Sequence, residues 1–414
     1  MWFNKEKIFL GLDVGSGFVK AIIFKKICLP AGRGKSGDPL GKKIIVLASS
    51  FQGIEESGVF NGRNLEFDIM HKAVSVALEN ARRNLFLSGA ERKVKKKIEK
   101  KKRWQAVVTF SPEKFKARVV LQNLVRKNPK EKISSRESRT ISQEILEKAK
   151  KDGCKNLFSD LGILPDDISC LNLKIGEMSI DGYLVPRLEG YAGKNLSFKV
   201  VATFMPKRYL QGVKKVLNGL GMEAVKFVHL AESISRISSY EEKESLFIDT
   251  GAAITQLFLV KGDNLRQADE FKIGGADFTE KLAEDLGLDG DSAEDLKKRY
   301  SSGALSIEAA KKIKDLFEGQ QGRWYSLLKN KIQKVFQKDL LDLNVYLLGG
   351  GSLLPEIREV LERRKESAAG GYQAFGKSSV KLIYPKDLKY IESIAFSVKS
   401  PYMVSSLLIC YHAQ

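Results

Sequence analysis

The sequence predicts an α/β protein of two similar lobes with an inserted α+β unit, and three observations carry that prediction. The chain opens with a strand–turn–strand segment, "FLGLDVGSGFVKAIIF", at residues 9–24. The device returns as "SLFIDTGAAITQLFLV" at 245–260, with Asp249 lying 236 residues after Asp13. A third glycine turn, "VYLLGGGSLLPEIREVLERR" at 345–364, runs strand, Gly349-Gly350-Gly351, helix. One device at the start of each half indicates a repeated domain.

The bulk properties suit a folded chain with a sizeable core: 414 residues, 43% hydrophobic and 29% charged. The net charge of +20 is less ordinary and predicts attraction to something anionic. No run approaches ~20 apolar residues, so no membrane span is expected. Asp13 interrupts the first apolar run too soon for a signal peptide, and the isolated cysteines suit a reducing cytoplasm. The cysteines stand apart at 28, 154, 170 and 410, and the three histidines at 71, 229 and 412. That scatter favours buried free thiols over a zinc site.

The elements follow in order. Residues 8–24 read as a hairpin and Ile44–Ser50 as a further strand, with the polar loop "LPAGRGKSGDPLGK" between them. Residues 67–89 place Ile69, Val74, Ala77 and Leu78 on one face of a helix that Gly89 can end. Next comes "RKVKKKIEKKKR" at 92–103, with nine basic residues and one acid. "WQAVVTF" at 104–110 is a strand, "SRTISQEILEKAKKDG" a helix that Ser138 can cap, and "KVVATFMP" another strand. Asp181-Gly182 is a turn. "PKRYLQGVKKVLNGLGM" is a helix with a glycine stop. The last twenty residues form a short helix that packs back onto the body. The expected division is 1–103 and 206–240 for the first lobe, with 395–414 returning to it. The inserted unit is then 104–205 and the second lobe 241–394.

The glycine turns have a chemical reading. Phosphate needs backbone N–H groups aimed at one point, and glycine permits that approach because it lacks Cβ and tolerates positive φ. Gly15 and Gly17 supply such backbone, Ser16 a hydroxyl and Lys20 a positive charge. Asp13, at a strand end, is placed to hold a Mg²⁺ water, and Asp249 with Gly251 to do the same from the opposite side. Gly349-Gly350-Gly351 precedes a helix and suits close packing of backbone on a base or sugar. His229 reads as an interior histidine and Glu232 as a carboxylate at a helix start.

The order of these turns resembles the actin-like ATPase superfamily (RNase H-like fold): first phosphate loop, second phosphate loop, adenosine loop. "DVGSGFVKA" is similar to actin's first phosphate loop, lysine included. More of the chain resembles the bacterial division protein FtsA. The stretches that carry this are "SSFQGIEESGVFNGRNLEFDIMHKAVSVALENAR", "MSIDGYLVPRLEGYAGKNLSFKVVATF" and "IGGADFTEKLAEDLGLDGDSAEDLKKRYSSG". The resemblance implies ATP and Mg²⁺ held between two lobes. It implies self-assembly into filaments, binding of the FtsZ C-terminal tail and other division proteins, and a peripheral place at the inner membrane face. Carried over, Asp13, Gly15, Ser16, Gly17 and Lys20 contact phosphate and metal, as do Asp249 and Gly251 from the second lobe. Gly274 and Gly275 match the Gly-Gly helix start, and Glu294 and Lys297 are implied near ribose and base. Gly349, Gly350, Gly351 and Ser352 are implied against the adenosine.

Two departures qualify the division reading. FtsA proteins usually show Gly-Gly-Gly-Thr-Thr-Asp where this chain has Gly251-Ala252-Ala253-Ile254-Thr255-Gln256. That loop is more similar to PilM, the FtsA relative of the type IV pilus machine. Alanine cannot take positive φ as glycine can, so a looser cradle and slow or absent hydrolysis are expected. The C-terminal stripe of Tyr402, Leu407, Leu408 and Tyr411 lacks a basic flank and reads as core packing rather than a membrane anchor. Residues 92–103 are then the candidate for contact with anionic lipid, beside the plainer reading of a solvated loop or helix face. Nucleic acid is not expected there, because only Trp104 adjoins the charges. A kinase lacks a convincing catalytic aspartate and a chaperone its peptide-binding domain. No catalytic residue is assigned.

Overall fold

Seven consecutive buried residues, Ile8–Val14, form the strand around which the first sheet is built. In the computed structural model the described residues are 7–28, 42–54, 67–238, 244–338, 343–368, 379–395 and 398–413. The loop expected after Cys28 and residues 55–66 of the FtsA-like stretch before Phe67 lie outside them, save for the last residue of the loop. In chain order the elements begin β1 (Ile8–Val14), β2 (Phe18–Cys28), β3 (Lys42–Gly53), α1 (Phe67–Leu87), α2 (Arg92–Glu99), β4 (Trp104–Phe110) and β5 (Lys116–Val125). There follow α3 (Ser135–Leu161), β6 (Ile168–Ile180), β7 (Tyr183–Leu184), β8 (Asn195–Pro206), α4 (Lys207–Gly219), β9 (Met222–Phe227) and α5 (Ser235–Ser238). The rest are β10 (Ser245–Thr250), β11 (Thr255–Lys261), β12 (Asn264–Phe271), α6 (Gly275–Leu286), α7 (Gly290–Ser301), α8 (Ile307–Lys331), β13 (Asn344–Leu348), α9 (Pro355–Ala368), β14 (Val380–Leu382), β15 (Ile391–Ser393) and α10 (Val404–Ile409).

Three sheets result. The first has the order β15-β3-β2-β1-β4-β9, the second β12-β11-β10-β13-β14, and the third β5-β8-β6-β7. Setting aside the edge strand β15, the first two sheets share order and sense. In each, three antiparallel strands are followed by two that run parallel to the third. Side chains alternate across a sheet. Ile8, Leu10, Leu12 and Val14 therefore enter one core with α1, α2 and α4, while Phe9 enters the core that holds α10. In β10, Leu246 and Ile248 join the core of α6, α8 and α9, and Phe247 faces α10. The short C-terminal helix is thus packed between the inner faces of both sheets.

Five expectations need correction. β15, at 391–393, falls in the stretch expected to belong to the second lobe but pairs in parallel with β3 at the edge of the first sheet. Trp104–Phe110 is not part of the inserted unit: β4 pairs in parallel with β1 and β9 in the first sheet. It reads as an ordinary buried strand, and only pairing reveals its sheet. α3 starts earlier than expected, at Ser135, because Ser134 accepts from the Glu137 N–H. Ser138 lies inside the helix. α1 buries Met70 rather than Ile69, and it ends at Leu87, where the Ser88 hydroxyl donates to the Leu85 carbonyl. The turn at Asp181-Gly182 is as expected, with φ of 48° and 87°.

The third sheet is tied to the second by charge. Glu270 of β12 accepts from Lys116 Nζ at 2.9 Å and from both terminal nitrogens of Arg118 at 2.9 and 3.0 Å. Burial alone would raise the Glu270 carboxyl, but the two cations outweigh it and hold it down at about 2. Its ordinary value is 4.5, so the pair adds stability that is complete above pH 4.5 and is lost as pH falls toward 2. Glu270→Gln leaves the buried Lys116 without its counter-charge. We expect a loss of roughly 3–5 kcal/mol at neutral pH by urea denaturation, shrinking below pH 4.5. An equal loss at pH 7 and pH 3 would show that charge is not the cause.

Candidate functional site

Both Asp-Gly hairpins have the same geometry. The Gly15 N–H donates to the Phe18 carbonyl at 2.9 Å, and the Gly251 N–H to the Ile254 carbonyl at 2.9 Å. Across the hairpins Asp13 pairs with Lys20, and Asp249 with Gln256. A side chain on Gly15 or Gly251 would come within 3.1 Å of the oxygen that closes its own turn. None of Gly15, Gly17, Gly251, Ala252 and Ala253 has positive φ. The expectation that alanine loosens the second loop on backbone grounds is therefore corrected: the alanines fit the turn without strain. What the glycines provide is space.

The two loops touch. The Ala253 N–H donates to Ser16 Oγ at 3.2 Å, and a Cβ on Gly17 would lie 3.1 Å from that of Ala252. Asp13 Oδ2 accepts from Lys20 Nζ at 2.9 Å and from Ser406 Oγ at 2.7 Å. Asp249 Oδ2 accepts from Ser405 Oγ at 2.9 Å. Consecutive serines of α10 thus hold the aspartates of the first and second sheets. Burial pushes the Asp249 carboxyl up to about 6, with the Asp13 charge adding to the rise and Ser405 and Lys20 opposing it. Sequence reasoning missed Ser405 and Ser406. Their signal was two adjacent hydroxyls in the apolar run "MVSSLLIC".

The remaining expected residues gather around the second loop. The start of α6 closes it, with Gly275 N–H on the Gly251 carbonyl at 2.9 Å and Ala276 N–H on that of Ala252 at 2.8 Å. Added atoms show how tight this is: a Cβ on Gly274 would lie 2.2 Å from the Ala252 oxygen, and one on Gly351 2.5 Å from Thr250 Cγ2. Lys297 is buried and donates to the Gly275 carbonyl at 2.8 Å, to Thr279 Oγ1 at 2.6 Å and to Glu294 Oε2 at 2.6 Å. Burial lowers its pKa, against the pull of Glu294. Gly349, at φ 86°, lets the chain turn beside Asp249, and Ser352 Oγ donates to the Leu348 carbonyl at 2.5 Å. Gly350 approaches Tyr402, which stacks on Phe51, itself stacked on Phe18. Lys298 lies over the Phe18 ring.

His229 and Glu232 stand apart from this constellation. The His229 ring is buried, accepts from the Ala231 N–H and faces Gln256, and burial lowers it to about 4. Burial raises Glu232 to about 7, and its carboxylate accepts from the His229 N–H and from Asn172. Both match the structural roles expected of them. Among the described residues no group of three or more His, Cys, Asp or Glu is arranged to hold a metal ion. Cys154, Cys170 and Cys410 are free thiols.

Comparison with known proteins bears on the whole chain. The structure of a PilM-PilN type IV pilus biogenesis complex matches it with a TM-score of 0.63, at 16% identity, over 98% of each chain. The chain has the actin-like ATPase fold. The family model for the cell division protein FtsA matches residues 246–407, from β10 into α10. No curated protein matches the sequence. Ethanolamine utilization protein EutJ from Carboxydothermus hydrogenoformans has a TM-score of 0.48 at 13% identity, over 98% of this chain and 90% of its own. MreB5 of Spiroplasma citri bound to AMPPNP has 0.43 at 11%, over 91% of each. Of these three structures, only the first is similar enough to bear on the fold. No described helix is long and apolar enough to cross a membrane.

Gly349 offers a direct test of the site's tightness. In Gly349→Ala the new methyl meets Asp249 Oδ1 at 2.3 Å, in a backbone region alanine avoids. We expect a loss of roughly 1–3 kcal/mol or more in urea denaturation, where an exposed Gly89→Ala costs nothing measurable. Equal stability of the two variants would overturn the geometry.

Proposed function

We propose that this chain is an ATP-binding, actin-like adaptor whose two lobes arose by duplication and close on Mg²⁺–nucleotide. One observation carries the reading: two equivalent Asp-Gly hairpins, one from each sheet, meet with Asp13 and Asp249 bound to adjacent serines of one helix. The residues suit the ligand. Ser16, Gly17 and Lys20 would meet phosphate from the first lobe, and Gly251 with Asp249 from the second. Glu294 and Lys297 lie beside Gly275, where the absence of a side chain would let a flat group approach the backbone, and Gly351 is packed against Thr250 with no room for a Cβ. Gly349, Gly350 and Ser352 complete that wall. With two carboxylates and no third ligand, a cation would rest mainly on water and phosphate oxygens, as Mg²⁺ commonly does. Bound there, it would neutralise phosphate charge.

The same contacts argue for binding without efficient turnover. The Ala253 N–H is already used by Ser16, and the carbonyls of Gly251 and Ala252 by α6. Nucleotide must displace Ser16 to reach that donor. Asp13 Oδ2 and Asp249 Oδ2 are each engaged by other groups of the chain.

As to the machine it serves, the pilus platform is the better reading. The likeness to PilM runs over 98% of both chains and includes the third sheet. The division reading has its own support in the FtsA match over 246–407. On either reading the chain works in the cytoplasm at the inner membrane face and self-assembles.

Titration with a fluorescent ATP analogue tests the core of this proposal. We expect Mg²⁺-dependent binding, weakened at least about tenfold in Asp13→Ala and in Asp249→Ala. Unchanged affinity in both variants would remove the cleft assignment, and fast turnover abolished by Asp13→Ala would remove the binding-only reading. Pulldowns with a pilus-subunit peptide and with an FtsZ tail peptide separate the machines: capture by the first alone supports the pilus platform, and capture by the second alone reverses the order.

A further inference from the structure

The basic run at 92–103 is folded in place and belongs to a larger surface. In α2, Val94 and Ile98 are buried in the core of the first sheet, four residues apart on one side. Arg92, Lys93, Lys96, Lys97 and Lys100 are exposed. Lys95 pins the helix to the end of α1, donating to the carbonyls of Phe86 and Ser88 at 2.9 Å each. Lys101 does the same at the sheet, donating to the Ile8 carbonyl and lying over Trp104.

The end of α1 that Lys95 grips carries Phe86, 46% exposed, and Leu87, 78% exposed. Arg83, three residues before Phe86, is exposed beside them. The third helix of the layer, α4, packs against α1 through Phe67 and Tyr209. Its exposed charges are Lys207, Arg208, Lys214 and Lys215, with no acid in its thirteen residues. The acids of the layer are few: Asp68 and Glu79 on α1, and Glu91 and Glu99 at the ends of α2. Arg103 pairs with Glu223 beyond them. All three helices cover the face of the first sheet opposite α10.

From this juxtaposition we infer that the α1–α2–α4 layer is a docking surface for an anionic lipid bilayer, with Phe86 and Leu87 entering the interface between lipid headgroups. Charge complementarity selects the occupant. A dense, rigid cationic face attracts acidic headgroups, and two large apolar side chains at its edge add the anchor that charge alone lacks. Neither a lone cationic loop nor a solvated helix face requires exposed Phe and Leu side by side. Single-stranded nucleic acid requires a track of stacking rings, and Trp104 is buried.

Vesicle pelleting of the full chain tests this, using phosphatidylcholine with and without phosphatidylglycerol. We expect pelleting only with the acidic lipid, weakening as salt rises past the ~0.1 M at which charges are screened over about 10 Å. Lys93→Glu with Lys96→Glu and Lys100→Glu should cut the partition at least about tenfold. Phe86→Ser with Leu87→Ser should cut it several-fold at every salt concentration. Lys311→Glu with Lys312→Glu, on the exposed face of α8, should leave it unchanged, and all variants should keep the wild-type melting temperature. Three outcomes would overturn the inference: no pelleting of the wild type, equal pelleting on neutral vesicles, or equal pelleting of the wild type and the α2 variant. A single-stranded oligonucleotide that displaces the vesicles and loses affinity in the α2 variant would assign the face to nucleic acid instead.

Discussion

The grip of α10 on two aspartates is the contact on which the site depends. Ser406 donates to Asp13 and Ser405 to Asp249, so one turn of helix spans the strand ends of two sheets. Two carboxylates buried under one helix turn need hydrogen-bond donors. Lys20 and the two hydroxyls provide them. The helix itself is fixed by burial: Val404, Leu407, Leu408, Ile409 and Cys410 are all inaccessible to solvent. Gly11 lets it lie close on β1, where any side chain would reach Cys410 Sγ at 3.0 Å.

Alternation along the two central strands distributes the rest. Each strand sends one set of side chains outward to a helical layer and the other inward to α10. Asp13 and Asp249 end up facing each other because both follow inward-facing neighbours at even spacing, Phe9 and Phe247. The outward face of the first sheet is then free to carry α1, α2 and α4, and with them most of the concentrated positive charge. The proposed nucleotide cleft and the cationic face share one sheet without sharing side chains. The third sheet is held in turn by Glu270 between Lys116 and Arg118, and by Glu177 on Arg266.

Much of this was legible in local pattern. The hairpins at 8–24 and 245–260, the strand at 199–206, the helix at 207–219 and the returning C-terminal helix all appear where the residues indicate. The errors have identifiable causes. Trp104–Phe110 carries no mark of which sheet it joins, since parallel pairing with β1 is a long-range choice. Ser134 and Ser138 are both competent caps, and the chain direction before the helix decided between them. The glycines of the loops were read as backbone freedom, but at Gly15, Gly17 and Gly251 φ is ordinary, and what matters is the room taken by a facing loop or a closing carbonyl. That is invisible without the partner in place.

By itself the sequence determined the two Asp-Gly hairpins, their spacing and the density of positive charge, because turns, alternation and charge are properties of neighbouring residues. Only the tertiary structure decided that Ser405 and Ser406 reach those aspartates, across sequence separations of 156 and 393 residues. Only it placed Phe86 and Leu87 beside the folded basic helix. Contacts between distant segments depend on how sheets pack around a shared helix, and no local pattern encodes that packing.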